Sequence, residues 1–313
     1  MKLKTILSVL FVTTIFSAVC FAEGADKVDL KLRLKAGESR EMKITQTQNT
    51  STTANGREGR SRGTQEMVVG LNVLSVAANG NMDVEIVCRS IKVTADGNIT
   101  GKFEFDSANP KPVDSNKPEQ KRFAPFSALA GSKIKIRIKP AGEFYDVRGF
   151  DAIIAKVKEK FPEMNEKDKI LNVFYDEKVK EMAGNILGVF PAGPVVVGDS
   201  WHKTAGMSFI PHVPRDVDIT YTLKQRKDGI AYIDAAAKFD TGVKTDHNSG
   251  ISEQSAGTIQ SSIEMDEATG LTRKSNIAMN ISGEAKMAAN QQMLQGMKAS
   301  STIQGNTVVE LIK

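Results

Sequence analysis

Few residues in this chain could act as acid, base, nucleophile or metal ligand, and their spacing limits what chemistry they could do. There are three histidines, His202, His212 and His247, and no two of them stand a helical turn apart as a zinc-binding helix requires. A metal site is therefore not expected. His212 has Asp216 close by in His212-Val213-Pro214-Arg215-Asp216, and serines are plentiful, so a hydrolytic triad can be drawn on paper. No Gly-x-Ser-x-Gly elbow, however, marks a nucleophile. The string Gly198-Asp199-Ser200-Trp201-His202 has the look of an active site, but Asp-Ser at that point reads as the closure of a turn, and Trp201, the sole tryptophan, as a core anchor. No glycine-rich phosphate loop is present. Catalytic, cofactor and metal residues are accordingly expected to be none, with a hydrolase the last of three functional readings.

The other candidates concern binding or modification. Cys88 lies in the apolar run Val84-Glu85-Ile86-Val87-Cys88 and reads as a small buried core residue. The sequons at Asn49, Asn98 and Asn280 matter only in a glycosylating host. Met265, Met279, Met287, Met293 and Met297 crowd the last part of the chain, where flexible thioethers suit an irregular core or an adaptable apolar pocket.

The elements that must position these residues begin after an export signal. Lys2 and Lys4 precede an apolar run from Ile6 to Val19, followed by Cys20-Phe21-Ala22, so residues 1–22 read as a signal peptide cleaved after Ala22. The alternative is a lipoprotein anchored through Cys20, against which Val19 stands as a poor neighbour. Removing 22 of 313 residues leaves 291, enough for one large sheet-rich domain, and takes the formal charge from +5 to +3. Basic and acidic residues are interspersed, which excludes a nucleic-acid footprint. No later stretch is apolar over the length a membrane-spanning helix needs.

Beyond residue 22, period-two alternation dominates the chain. Val28, Leu30, Leu32 and Leu34 alternate with charged residues and predict a strand, and Gly37-Glu38-Ser39 turns into a second strand through Met42 and Ile44. That strand dissolves into Thr, Gln and Asn, and Asn55 to Arg60 reads as a polar loop tip, with strands resuming near Thr64. Hairpins are predicted at Asn79-Gly80, Gly142, Asp228-Gly229 and Thr269-Gly270. Residues 108–122 read as a proline-rich exposed connector. Phe150, Ile153, Ile154 and Val157, then Ile170, Val173, Phe174, Val179 and Met182, take helical spacing, so residues 149–190 are expected to form two helices. The block at 190–201 restarts the strands, with Val195 to Val197 as a short one, and the chain closes on a strand from Thr307 to Ile312.

The order of turns occurs twice: Gly37-Glu38-Ser39 and Gly198-Asp199-Ser200, then Asn79-Gly80 and Asp228-Gly229, then Gly142 and Gly270. This predicts an α+β fold. Two similar antiparallel meanders, residues 23–148 and 191–313, form a curved sheet or half-barrel, paired edge to edge or facing one another, with the helical segment packed on it and all of 23–313 open to being one domain. The block Phe190-Pro191-Ala192-Gly193-Pro194-Val195-Val196-Val197-Gly198-Asp199-Ser200-Trp201, together with the opening Val28 to Glu38, resembles an uncharacterised family of exported bacterial proteins catalogued as a domain of unknown function. The resemblance implies a fold and brings no catalytic residues. The leading functional expectation is an exported, non-enzymatic protein that holds or shields an apolar, lipid-like ligand, for which a lined cavity of several hundred cubic ångströms is expected. The second is a non-enzymatic envelope module that binds other proteins through sheet edges or the long polar hairpins.

Overall fold

The computed structural model describes residues 26–98, 101–110, 124–160, 189–207, 215–246, 251–287 and 298–313. The proline-rich connector beyond residue 110 and the expected second helix, with Ile170, Val173, Phe174, Val179 and Met182, lie outside them.

Turn chemistry sets the strands. β1 (Ser39–Ala54) and β2 (Arg57–Val76) are joined by Asn55 and Gly56, both at positive φ (49° and 76°), the two-residue hairpin turn whose twist matches its strands. β3 (Met82–Gly97) follows the Asn79-Gly80 turn and carries β4 (Phe103–Asp106) along its far half. After α1 (Ala124–Leu129), β5 (Lys133–Ile138) and β6 (Phe144–Arg148) make a hairpin, and α2 (Phe150–Lys160) closes the first half. The second half is β7 (Ser200–Met207), β8 (Arg215–Lys227), β9 (Ile230–Asp240), β10 (Lys244–Asp246), β11 (Ile251–Asp266), β12 (Thr272–Met287) and β13 (Lys298–Leu311). Asp228 and Gly229, at φ 52° and 74°, repeat the two-residue turn between β8 and β9.

These strands form one antiparallel, 13-stranded sheet in the order β6-β5-β3-β2-β1-β13-β12-β11-β9-β8-β7, with β4 and β10 attached to β3 and β11. The halves meet edge to edge where β1 pairs with β13 from Met42–Leu311 to Ala54–Ala299. They also face one another. Leu32 N donates to Pro140 O (2.8 Å) in the β5–β6 turn, and the next residue, Arg33 N, donates to Thr269 O (2.9 Å) in the β11–β12 turn. From β5 to β12 is five strand spacings, about 24 Å if the sheet were flat, so the sheet is curved. It does not close, since β6 and β7 end the path.

The expected first strand needs correction. Residues 28–34 are extended, and Val28, Leu30, Leu32 and Leu34 are all buried (2–7% exposed), but they join no ladder. Their backbone groups bond in turn to Val195, Pro140 and Thr269. A chain seated between the two halves of a curved sheet meets different elements along its length, so apolar alternation survives without a strand partner. Likewise Val195 to Val197 is no strand: Val195 makes a single antiparallel bridge with Val28, and the chain then turns through Gly198. The third correction concerns residues 55–60, of which only Asn55 and Gly56 form the loop tip: residues 57–60 belong to β2, and β1 and β2 stay paired from Ser39–Asn72 to Ala54–Arg57.

The two expected starts of the meanders have matching detail. Lys35 N donates to the Glu38 carboxylate and Val196 N to the Asp199 carboxylate (2.8 and 3.0 Å). Gly37 N and Glu38 O bracket Val73, as Gly198 N and Asp199 O bracket Leu223. Each bracketed residue is followed at once by a bulge, at Val73/Ser75 and Leu223/Gln225.

The main core lies inside the curve, where Leu71, Val73, Val84 and Ile138 of the first half meet Val217, Leu223 and Ile233 of the second around residues 28–34 and Phe190. α2 buries Phe150, Ile153 and Val157 with Ala128 of α1, beside Ile134 of β5 and Val147 of β6. Phe126 of α1 packs on Phe103 and Phe105, with ring centroids 5.9 and 6.0 Å apart, near the buried Cys88. Arg226 on β8 forks onto Glu267 (2.8 and 2.9 Å) and also donates to the Asp26 carbonyl, tying the entering chain to the sheet.

Candidate functional site

Along β11, β12 and β13 every second residue faces the core. Ile259 pairs with Met279 and Gly305, Ser261 with Ile277 and Thr307, and Ile263 with Ser275 and Val309. Glycine at 305 matters here, because a β-carbon would sit 3.0 Å from Met279 Cγ. Its absence lets the Met279 side chain lie across the neighbouring strand. Ile219 and Tyr221 of β8 and Ala235 of β9 form a second wall, and Val189 a third side. Between them is an apolar cavity of about 160 Å³, with the hydroxyls of Ser261, Ser275, Thr272 and Thr307 on its lining. Ser261 Oγ and Ser275 Oγ are 3.3 Å apart.

Trp201 holds the Val189 side of this cavity in place. It is 8% exposed, its ring stacks on Tyr221 with centroids 5.8 Å apart and 13° between planes, and its Nε1 donates to Val189 O at 2.8 Å. Burial pushes the Tyr221 phenol up to about 12, so it stays neutral at any ordinary pH. The expected role of Trp201 as a core anchor thus has a local purpose. It fixes the residues where the second half begins.

The cavity is smaller than the several hundred cubic ångströms expected for a carrier. The reason is packing: the segment 28–34 and Phe190 occupy much of the curve's interior. A dry cavity of about 150 Å³ admits a benzene-sized group. Beyond it the inner face continues as half-buried Ile277, Met279 and Ile303, with Gln46 and Gln48 on β1.

Among the described residues, those singled out for chemistry are not brought together. His202 is exposed on β7, with Nδ1 3.1 Å from Thr220 Oγ1, while Asp199 is used in its own turn. His212 and His247 lie outside the described residues. A Gly-x-Ser-x-Gly spacing does occur at Gly59 to Gly63, but Ser61 sits within β2, paired with Thr50 and Gly97, far from any strand-to-helix turn. The buried Cys88 thiol is pushed up to about 11 by desolvation, the opposite of an activated nucleophile. Of the methionines, Met265 is fully buried, Met279 lines the cavity, and Met293 and Met297 fall outside the described residues. The cavity hydroxyls carry no sequence signal of their own, since serine and threonine are frequent throughout the strands. Among the described residues no group of three or more His, Cys, Asp or Glu side chains could hold a metal ion, and no helix is long and apolar enough to cross a membrane.

Two solved structures are similar to the chain over most of its length. Lipovitellin, in a structure titled for its lipid–protein interactions, is 8% identical with a TM-score of 0.46, over 90% of this chain and 26% of that one, so the chain spans about a quarter of its length. The outer membrane protein OprG from Pseudomonas aeruginosa is 7% identical with a TM-score of 0.23, over 89% of this chain and 96% of that one. No curated protein matches the chain. Residues 79–272, from the β2–β3 turn to the start of β12, match the family of unknown function DUF6263, and the chain belongs to that family.

Proposed function

We propose that this protein is exported, with residues 23–313 acting as one unit built from two similar meanders, and that it binds an apolar, acyl-chain-like ligand without catalysing a reaction. The observation that carries this reading is the 160 Å³ cavity under Val189, walled by Ile219, Ile259, Ile277 and Met279 and continued by a half-buried inner face. The enclosed part takes the end of a chain, and the rest lies along β12 and β13. The hydroxyls of Ser261 and Ser275 tolerate one polar group there. A sheet that is curved but unclosed gives such a ligand a way in along its length.

The test uses the mature chain and a fluorescent 16-carbon fatty acid. Ser261→Leu fills the cavity without touching the outer face, and should weaken binding at least about tenfold while leaving the fold intact. Absence of saturable binding, or equal binding by Ser261→Leu, overturns the proposal. Native mass spectrometry of protein taken from its own envelope then identifies what it carries. A second reading, a protein-binding module, draws on β7 and β6 as the ends of the sheet and on the exposed Tyr145 of β6.

A further inference from the structure

The outward face of the sheet's centre has a composition unlike the rest of the chain. Where β1, β13, β12 and β11 lie side by side, four successive cross-strand rows contain no charged and no aromatic residue. One such row is Asn49, Gln304, Asn280 and Thr258. The row beyond it begins Ser51, Thr302 and Ser282, and the remaining two begin at Thr47 and Thr45. All of these residues are exposed or half-exposed, and apart from one valine and two alanines all carry an amide or a hydroxyl. In a chain with 25% charged residues, four strands by four positions without a charge is a pronounced departure.

Charge returns at every border. The row below is Lys43, Glu310, Lys274 and Glu264, with ion pairs Lys43–Glu66 (2.9 Å) and Lys274–Glu310 (3.3 Å). Above stands Glu284, and to the sides Arg62 on β2 and Lys238 on β9. The neutral array spans about 14 by 20 Å from strand and residue spacings. Beside it a groove of about 930 Å³ is lined by Asn49, Ser51, Thr302 and Gln304 of the array, with Arg60, Arg62 and Asp96 opposite. Among the described residues the side chains of Asn49, Asn280 and Gln304 hydrogen-bond to no protein group, so their donors and acceptors face outward unused.

We propose that this face binds a neutral, polyhydroxylated glycan, laid across β1, β13, β12 and β11 with one end in the groove. Charge complementarity selects the class. A nucleic acid or anionic polymer requires clustered lysine and arginine, a protein partner a buried aromatic or arginine anchor, and a lipid surface an apolar patch or basic rim. None of these is in the array. Amides and hydroxyls both donate and accept, as sugar hydroxyls do, and an uncharged partner meets no buried, unpaired charge on docking. Arg62 and Asp96 at the groove supply forked contacts to adjacent hydroxyls at one end.

The experiment measures retention of the mature chain on insoluble cellulose, chitin and starch, with heparin-agarose as the anionic comparison. Retention on at least one neutral polysaccharide is expected, reduced at least about tenfold by Gln304→Lys and by Asn280→Lys. Lys274→Gln, in the charged row, should leave it unchanged. Unaltered urea midpoints show that the variants fold. Failure of all three neutral polysaccharides, retention on heparin alone, or a Gln304→Lys effect confined to a monomer–dimer balance in sedimentation overturns the proposal, the last by assigning the face to a second copy of the chain.

Discussion

Replacing Gly270 by alanine tests whether the entering chain is seated in the mouth of the sheet. Gly270 has φ +72°, and a β-carbon there would collide with the Lys31 carbonyl, 2.6 Å from its carbon. Two costs add. Alanine in the left-handed region loses about 1 kcal/mol. The collision is with backbone and no flexible side chain can yield, so residues 31–33 must retreat by about 1 Å to reach ordinary contact. That stretches the 2.9 Å bond from Arg33 N to Thr269 O, worth about 1 kcal/mol. It also loosens Leu32, 3% exposed, at a fraction of the 2–5 kcal/mol that its full truncation costs. The total expected is about 3 kcal/mol. Gly56→Ala is the matched control, with φ +76° and nothing within 4 Å of its added β-carbon, so it should lose only the backbone term of about 1 kcal/mol. Urea unfolding with linear extrapolation resolves the difference of about 2 kcal/mol. Equal losses in the two variants would refute the seating of residues 28–34 between the β5–β6 and β11–β12 turns.

Two further predictions concern the supports of the cavity and the core. Trp201→Phe keeps an aromatic ring against Tyr221 but removes the Nε1 donor, leaving the Val189 carbonyl unpaired, and should lower stability by about 1–3 kcal/mol in urea; a loss below about 0.5 kcal/mol would show that this bond does not hold Val189. Burial raises the Cys88 thiol from 9.0 to about 11, so the folded state holds the proton more tightly than the unfolded one. The stabilisation from this group is complete below about pH 9 and is lost as pH rises through about 11. Native protein at pH 8 should resist a thiol-specific reagent that labels it promptly in urea, and prompt labelling without urea would place Cys88 outside the core.

The parts of this fold legible in the sequence are those where apolar residues keep time. Ile134, Ile136 and Ile138, Val217 to Leu223, and the glycine turns at 80, 142, 229 and 270 all stand where period-two reading puts them. Residues 45–64 were not legible, because on both faces β1 there carries chiefly Thr, Gln, Asn and Ser, and β2 Arg, Glu, Gly, Ser and Thr, and a strand without an apolar face looks like a loop. β13 is the same case: Thr307 to Ile312 shows as a strand, while Lys298 to Asn306, equally paired, does not. Residues 28–34 failed in the other direction. Their alternation reports burial on one side, which a seated extended chain shares with a true strand. The cavity was illegible for a different reason, since its walls come from five strands and its size depends on what else fills the curve.

β12 joins the two proposed surfaces in one stretch of sequence. Ile277, Met279 and Ile281 face inward, toward the cavity and the half-buried trough, while Asn276, Ala278, Asn280 and Ser282 face outward in the charge-free array. The backbone is common to both, and only parity separates them. Met279→Lys would place a charge against the apolar wall and disturb both stability and ligand capture, whereas Asn280→Lys would put its charge in solvent on the other side and leave the cavity untouched. Paired substitutions one residue apart therefore separate the apolar reading from the glycan reading within a single strand. If Asn280→Lys, with its urea midpoint unaltered, weakened fatty-acid capture as Met279→Lys does, the register of β12 at this point would itself be wrong, because a ladder without a bulge there presents adjacent residues to opposite faces.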